Sequence, residues 1–154
     1  MDNINIFDTI YKYEPFTRYE DLIFLSGQIP KTSNNTILAT GTCGLEVDLN
    51  TAQKCARLCA QQALLWAKKS LRKDEELQKI LKLNIFLATT RKFKYISEVA
   101  DYSSSIFIKE LGKQGIHSRS VIGVSLLPRQ SPILLDVVFS VKKIKSQIND
   151  KKFT

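Results

Sequence analysis

Two apolar segments joined by a proline-containing connection constrain the fold more than any other part of this sequence. Residues 115–141 read GIHSRSVIGVSLLPRQSPILLDVVFSV, in which runs of Val, Ile, Leu and Phe flank a connection containing Pro128 and Pro132. Proline cannot donate to a central β-ladder, so the pattern predicts a strand, a tight connection and a returning strand. Arg119 lies where the first strand begins. A permanent cation beside core-type residues needs an anionic partner, either a carboxylate of the protein or a bound one.

The composition is that of an ordinary globular protein. The 154 residues are 44% hydrophobic and 25% charged, which predicts one domain over residues 1–154, and its end at 142–154 is a basic tail with few large apolar residues. The three cysteines are an odd number, no signal segment is recognisable, and no apolar run approaches the roughly 20 residues that cross a bilayer. We therefore expect free thiols, no membrane segment and a reducing intracellular compartment, the cytoplasm or alternatively the mitochondrion.

The charge balance favours anionic partners. Lys and Arg number 23 against 15 for Asp and Glu, which gives a formal net charge of +8. Nucleic acid, phosphates, acidic lipid and small carboxylates all match this sign, so the charge alone does not choose among them.

The spacing of apolar residues predicts the remaining elements. Short apolar runs at residues 22–25 and 80–88 predict strands, and the polar stretch 31–44 predicts a loop with a brief strand at 37–39. Small apolar residues recur every three or four positions from 50 to 70, which predicts a helix capped by Asn50 and Gln53. A second helix is predicted from about Phe93, with Gly112 as its C-terminal glycine.

This order of elements predicts an α+β fold in which two helices cover one face of a mixed sheet. Two helices leave the other face of the sheet uncovered, and an apolar face of that size usually marks an interface between subunits. We therefore expect a homo-oligomer.

Three motifs together resemble those of one known family. They are FLSGQIP at residues 24–30, ARLCA at 56–60, and GIHSRSVIGV at 115–124 followed by Leu127-Pro128. In this order and spacing they resemble the YjgF family, also called the Rid or L-PSP endoribonuclease family, over roughly residues 15–141. The chain is most similar to the branch with longer chains and a Gly-x-His-x-Arg-Ser segment.

The resemblance implies a chorismate-mutase-like fold assembled as a homotrimeric barrel, with clefts between neighbouring subunits and no cofactor or metal. Enzymes of this family hydrolyse enamine and imine intermediates of amino-acid metabolism to 2-oxo acids and ammonia. It implies that Arg119 binds the substrate carboxylate, as the two parallel donors of a guanidinium allow. It also implies that Ser26 and Gly27 line the cleft and that Phe16 covers the ligand, where many relatives have tyrosine.

The chain departs from the family pattern at two acidic positions. The glutamate that positions water in the deaminases is replaced by Leu134, counted without a gap from Arg119. Asp136 lies on the same side of the predicted strand but about 6.6 Å further on, at roughly 3.3 Å per residue, so it substitutes only if the strand shifts. Asp101 replaces an asparagine of the second helix, and its charge either disfavours a carboxylate ligand or pairs with Arg119.

Other interpretations of these residues remain open. Arg119 could instead be a structural ion-pair partner at a subunit contact. Cys43, Cys55, Cys59 and His117 could form a zinc site, although the helical spacing of two thiols on an apolar stripe favours core packing. His117 could also act as a general base or contact substrate.

Three functions are compatible with the sequence. The first is hydrolysis of imine or enamine acids, with Asp136 or backbone carbonyls activating water. The second is non-catalytic binding of a small carboxylate, which the missing glutamate favours. The third and weakest is RNA binding or cleavage, suggested by the net charge of +8 and by the family name.

Overall fold

The computed structural model of the protein describes residues 12–145. They form one five-stranded sheet in the order β1-β2-β5-β3-β4, with two α-helices and two short 3₁₀ helices. The strands are β1 Phe16–Tyr19, β2 Leu22–Leu25, β3 Glu75–Ala88, β4 Ser118–Val124 and β5 Ile133–Lys143. The α-helices are α1 Leu49–Lys69 and α2 Ile96–Leu111, and the 3₁₀ helices are Gly112–Gly115 and Pro128–Gln130.

The two strands predicted in residues 115–141 are both present, as β4 and β5, but they do not pair with each other. β3 lies between them: it pairs parallel with β4 and antiparallel with β5. Helix α2 supplies the crossover that a parallel pair such as β3 and β4 requires. The hairpin expected from residues 115–141 is therefore wrong in its pairing, because hydrophobic pattern and prolines define strand ends but not neighbours.

Helix α1 begins one residue before the predicted start and has a different cap. Asp48, in an extended conformation, accepts a hydrogen bond of 2.7 Å from the Thr51 backbone N–H. The predicted cap, Asn50, lies inside the helix. Asp48 satisfies the same requirement, since a short carboxylate accepts from the free N–H groups of a first turn. The buried side of the helix carries Ala and Cys, as its small-residue stripe predicts.

Strand β3 is longer than its apolar pattern indicates. It begins at Glu75, five residues before the predicted start, because the first part of the strand is polar and pairs with the basic end of β5. The same pairing places Lys142 and Lys143 in β5 rather than in a tail. Residues 146–154, where the rest of the predicted tail falls, and residues 1–11 lie outside the described part of the chain.

Helix α2 starts at Ile96, three residues after the predicted start, and ends as predicted at Gly112, whose φ is 58°. A positive φ is readily adopted only by glycine. No strand forms at residues 37–39; Ile37 makes only an isolated bridge with Lys31.

Both helices pack on one face of the sheet, as the sequence predicts. Alternate residues of the central strands are completely buried beneath them, among them Leu83, Val137 and Phe139. The opposite face keeps large apolar side chains in solvent, with Phe24 41% and Ile122 45% exposed. Neither of the helices in residues 12–145 is long and apolar enough to span a bilayer.

Candidate functional site

The predicted site residues fall into separate groups within one protomer. Arg119, Asp101 and His117 lie together where α2 meets the edge strand β4. Ser26 and Gly27 line a cavity that follows β2, near the other edge of the sheet.

Arg119 is held in place through a single nitrogen. Its Nη1 donates to Asp101 Oδ1 at 2.8 Å and to Ser104 Oγ at 3.0 Å. The predicted pairing of Arg119 with Asp101 is therefore present. Within residues 12–145, neither Nη2 nor Nε of Arg119 has a hydrogen-bond partner. The Arg119 side chain as a whole is 23% exposed, and its two donors without a partner can bind an anion.

His117 joins the same network through both ring nitrogens. Nδ1 lies 2.6 Å from the Gly115 carbonyl oxygen, and Nε2 lies 3.1 Å from Ser104 Oγ. The Phe107 ring packs edge-on against the imidazole, with centroids 5.9 Å apart. Burial lowers the pKa of His117, and the positive charge of Arg119 lowers it further. The hydrogen bond to the Gly115 carbonyl raises the pKa but does not outweigh these two effects. The imidazole is thereby kept neutral to lower pH than usual.

Ser104 connects these residues and was not among the residues predicted from the sequence. The available signal is a run of three serines, residues 103–105, inside a predicted helix, where serine is not favoured. Ser103 is buried and donates to the Ala56 carbonyl of α1, while exposed Ser105 donates to the Asp101 carbonyl one turn earlier. Only Ser104 faces β4.

The second group lines an open cavity of about 420 Å³. Its lining residues are Tyr13, Ser26, Gly27, Ile29, Lys31, Pro128, Arg129 and Leu134. The Ser26 N–H and hydroxyl both donate to backbone carbonyls just before β1, so this turn is fixed. In the described chain, the Gly27 backbone has no hydrogen-bond partner, which leaves its N–H and carbonyl for a ligand.

Leu134 forms the apolar wall of this cavity. A Cβ added to Gly27 would lie 2.9 Å from both terminal methyl groups of Leu134, so the Leu134 side chain packs directly against the Gly27 backbone. Leu134, which stands where the family pattern predicts a glutamate, thus lies next to Gly27, but its side chain has no group that can orient water.

Phe16 does not line this cavity. It lies on β1, on the side of the strand that faces the helices, and packs against the hydrophobic core. The aromatic residue that lines the cavity with Ser26 and Gly27 is Tyr13, and Trp66 joins them in an adjoining hollow. Sequence reasoning missed Tyr13 because it chose the aromatic that follows Pro15.

Asp136 lies on the opposite face of the sheet from Arg119. It is paired across β3 with Asn84, whose Nδ2 donates to Asp136 Oδ2 at 3.3 Å. Arg119 pairs with the next residue, Leu83, and side chains alternate between faces along a strand. Asp136 and Arg119 therefore do not share a site within one protomer, and the predicted catalytic role of Asp136 has no support from this arrangement.

The three cysteines are all buried and free. Burial raises the pKa of Cys43 and Cys55 to about 11, and that of Cys59 well above its usual value. Across residues 12–145, no group of three His, Cys, Asp or Glu side chains is arranged to hold a metal ion. All three thiols pack in the hydrophobic core as small side chains, the interpretation that the sequence favoured.

Comparisons with known proteins agree with the motifs. A family model described as Endoribonuclease L-PSP matches residues 3–139. Protein TCP17 of Trypanosoma cruzi is 28% identical over 117 residues, which cover 75% of this chain and 72% of that protein.

Two solved structures share the fold over most of their length. Atu1372 of Agrobacterium tumefaciens, a protein described as having unknown function, is 30% identical with a TM-score of 0.76, covering 85% of this chain and 82% of that one. A candidate endoribonuclease of Shewanella oneidensis is 21% identical with a TM-score of 0.78, covering 86% and 87%. The match to the family model over most of the sequence shows that this chain belongs to the Endoribonuclease L-PSP family, the YjgF or Rid family that its motifs resemble.

Proposed function

We propose that the protein is a Rid-type hydrolase that converts reactive enamine or imine acids to 2-oxo acids and ammonia. The observation that carries this proposal is the state of Arg119. Asp101 and Ser104 fix its guanidinium through Nη1, while Nη2 and Nε have no partner in the described chain. Two adjacent donors on one edge match the two oxygens of a carboxylate, which fixes the plane of the substrate.

A homotrimer explains why the candidate residues are separated. β4, which carries Arg119, is the strand at one edge of the sheet, whereas the Ser26–Gly27 cavity lies towards the edge formed by β1 and β2. In a ring of copies, the first edge of one subunit meets the second edge of the next. We propose that the complete cleft forms there, with Arg119 from one copy and Ser26, Gly27 and Leu134 from its neighbour.

The test is an assay in which an amino-acid oxidase generates the imine and release of the 2-oxo acid is followed. We expect the wild type to accelerate release above the spontaneous rate. Arg119→Ala should lower kcat/KM roughly 10- to 100-fold, because a charge-assisted bidentate contact is lost. The kcat/KM of Arg119→Lys should lie between those of the wild type and Arg119→Ala. Arg91→Ala, which removes an exposed arginine of the same charge, is the matched control. Equal activity of wild type and Arg119→Ala would refute the proposal.

Leu134 supports a second candidate, a trimer that binds a small carboxylate without catalysis. An apolar wall next to Gly27 can pack against the side chain of a bound acid but cannot activate water. In that case calorimetry would show 2-oxo acid binding that Arg119→Ala abolishes, with no acceleration of imine hydrolysis by the wild type.

RNA binding or cleavage is a weaker alternative, favoured by the net charge of +8. It predicts an RNA affinity that falls steeply with salt, because phosphate contacts release counterions. A salt titration with a single-stranded RNA distinguishes it from the other two.

A further inference from the structure

Ser104 and His117 have the geometry of an activated hydroxyl and its base. The Gly115 carbonyl oxygen can only accept, so the Nδ1 atom of His117, 2.6 Å away, carries the ring proton. Nε2 of the neutral imidazole is then an acceptor, and the Ser104 hydroxyl donates to it at 3.1 Å. A base oriented by a third group and bonded to a hydroxyl is the arrangement that catalytic serines use.

Arg119 completes the arrangement from the other side. Its Nη1 donates to Ser104 Oγ at 3.0 Å, so the oxygen that gives its proton to His117 also faces a cation. A positive charge at this distance stabilises negative charge on the oxygen.

We propose that Ser104 Oγ takes the proton of the attacking water in this site, with His117 as the group that accepts the proton from Ser104. This inference rests on the proposed imine hydrolysis. It supplies the base that Leu134 cannot provide and that Asp136, on the opposite face of the sheet, cannot provide within the protomer. Ser104 contacts the reacting water and is catalytic, whereas His117 acts through it and is a positioning residue.

The reaction balances without any further reagent. Water oxygen attacks the carbon of the protonated C=N bond, and the π electrons pass to nitrogen. The water proton moves to Ser104 Oγ while the serine proton moves to His117 Nε2, which leaves a carbinolamine and an imidazolium. The imidazolium returns its proton through Ser104 to the amine of the carbinolamine. The C–N bond then breaks as the hydroxyl oxygen forms C=O, and the hydroxyl proton passes through Ser104 and His117 to the departing ammonia, so that ammonium and the 2-oxo acid leave with His117 neutral again.

The surroundings of His117 define its pH behaviour. The Gly115 carbonyl, the Phe107 ring, the Ser104 hydroxyl and the Arg119 guanidinium contact or face it, and Asp101 reaches it only through Arg119. Burial and Arg119 lower the pKa of His117, so the base form prevails at neutral pH. The rate should therefore rise with pH through the pKa of His117 and then level.

The test uses three variants of the full chain in the imine assay. Ser104→Ala and His117→Gln should each lower kcat by roughly 100-fold, with KM changed less than threefold, because a general base contributes mainly to the chemical step. In both variants, kcat should no longer rise with pH. Ser105→Ala, which removes the neighbouring exposed hydroxyl, should behave as wild type. Thermal melting confirms that each variant is folded.

His117 is the single histidine of the chain, so its imidazole NMR signals need no assignment by mutation. We expect the Nδ1–H tautomer, and Ser104→Ala should raise the pKa of His117 because a donor to the neutral ring is lost. An Nε2–H tautomer, or unchanged kcat in both variants, would overturn this inference and leave the proposed hydrolysis standing. A wild type without hydrolysis would overturn both.

Discussion

Arg18 and Glu75 form a bidentate ion pair that ties the edge strand β1 to the start of β3. Nη1 donates to Oε2 at 2.6 Å and Nη2 to Oε1 at 3.1 Å, and the Glu75 side chain is only 2% exposed. Nη1 also reaches the Ser70 carbonyl at the end of α1. One guanidinium thus holds together the sheet edge, the end of the first helix and the polar beginning of the longest strand.

This pair makes stability depend on pH below neutrality. The hydrogen bond from Arg18, followed by one from the Arg72 backbone N–H, lowers the pKa of Glu75 from 4.5 to about 2. A depressed pKa contributes stability above pH 4.5 that is lost as the pH falls towards 2. We expect Glu75→Gln to melt roughly 5 °C or more below the wild type at pH 7, and the difference to shrink between pH 4.5 and 2.

Glu76→Gln is the matched control, because Glu76 pairs with Lys142 on the surface, where an ion pair contributes little. Melting curves of the wild type and Glu75→Gln that stay parallel from pH 7 to pH 2 would contradict the linkage.

Asp101 should weaken the binding of carboxylates. Asp101→Asn keeps an oxygen acceptor for Arg119 but removes a negative charge beside the proposed substrate site. We expect 2-oxo acid affinity, measured by calorimetry at low salt, to rise roughly three- to tenfold, with a smaller gain at high salt.

Asp74→Asn removes the same charge from a surface pair with Lys143 and should leave the affinity unchanged. A lower affinity in Asp101→Asn would show instead that the full ion pair is needed to hold Arg119 in its binding orientation.

Two glycines three residues apart should respond differently to alanine. A Cβ at Gly115 would lie 2.2 Å from the Phe107 carbonyl oxygen, a backbone atom that cannot move aside, so Gly115→Ala should cost about 3 kcal/mol or more. At Gly112 the added Cβ meets nothing within 4 Å, and only the backbone conformation, with φ 58° and ψ −134°, is unfavourable. Gly112→Ala should therefore cost about 2 kcal/mol, the strain of a conformation that residues other than glycine rarely adopt. Urea unfolding of both variants measures these costs, and equal values would contradict the packing argument.

The thiols should be unreactive while the protein is folded. At pH 8, burial keeps the three thiols protonated, since it raises the pKa of Cys43 and Cys55 to about 11 and that of Cys59 well above its usual value. The thiolate is the reactive form of cysteine. We expect Ellman's reagent to titrate no thiol of the native protein within minutes and all three in denaturant. Rapid reaction of a thiol in the native protein would show that this part of the core opens.

The elements were largely predictable because each leaves a local pattern. The small-residue stripe of α1, the glycine at the end of α2 and the apolar runs of β2 and β5 depend on residues close in the sequence. The polar start of β3 was missed, because its stability comes from contacts with Arg18 and with the end of β5 rather than from an apolar pattern.

The candidate site was predictable only in part. Arg119 could be found because a permanent cation stands in apolar surroundings, and the pairing with Asp101 followed from charge. The contacts of Ser104 with His117 and Arg119, 13 and 15 positions away, could not be predicted, because a run of three serines does not show which residues of another segment lie beside it.

The sequence by itself determined most of the helical and strand segments, the uncovered sheet face, the family and the position of Arg119 as a cation beside core residues. Only the tertiary structure decided that β3 separates β4 from β5, that Asp136 and Arg119 face opposite sides of the sheet, and that His117 meets Ser104. The reason is that hydrophobic periodicity records which side of an element is buried, whereas strand order and side-chain contacts depend on which elements lie next to each other.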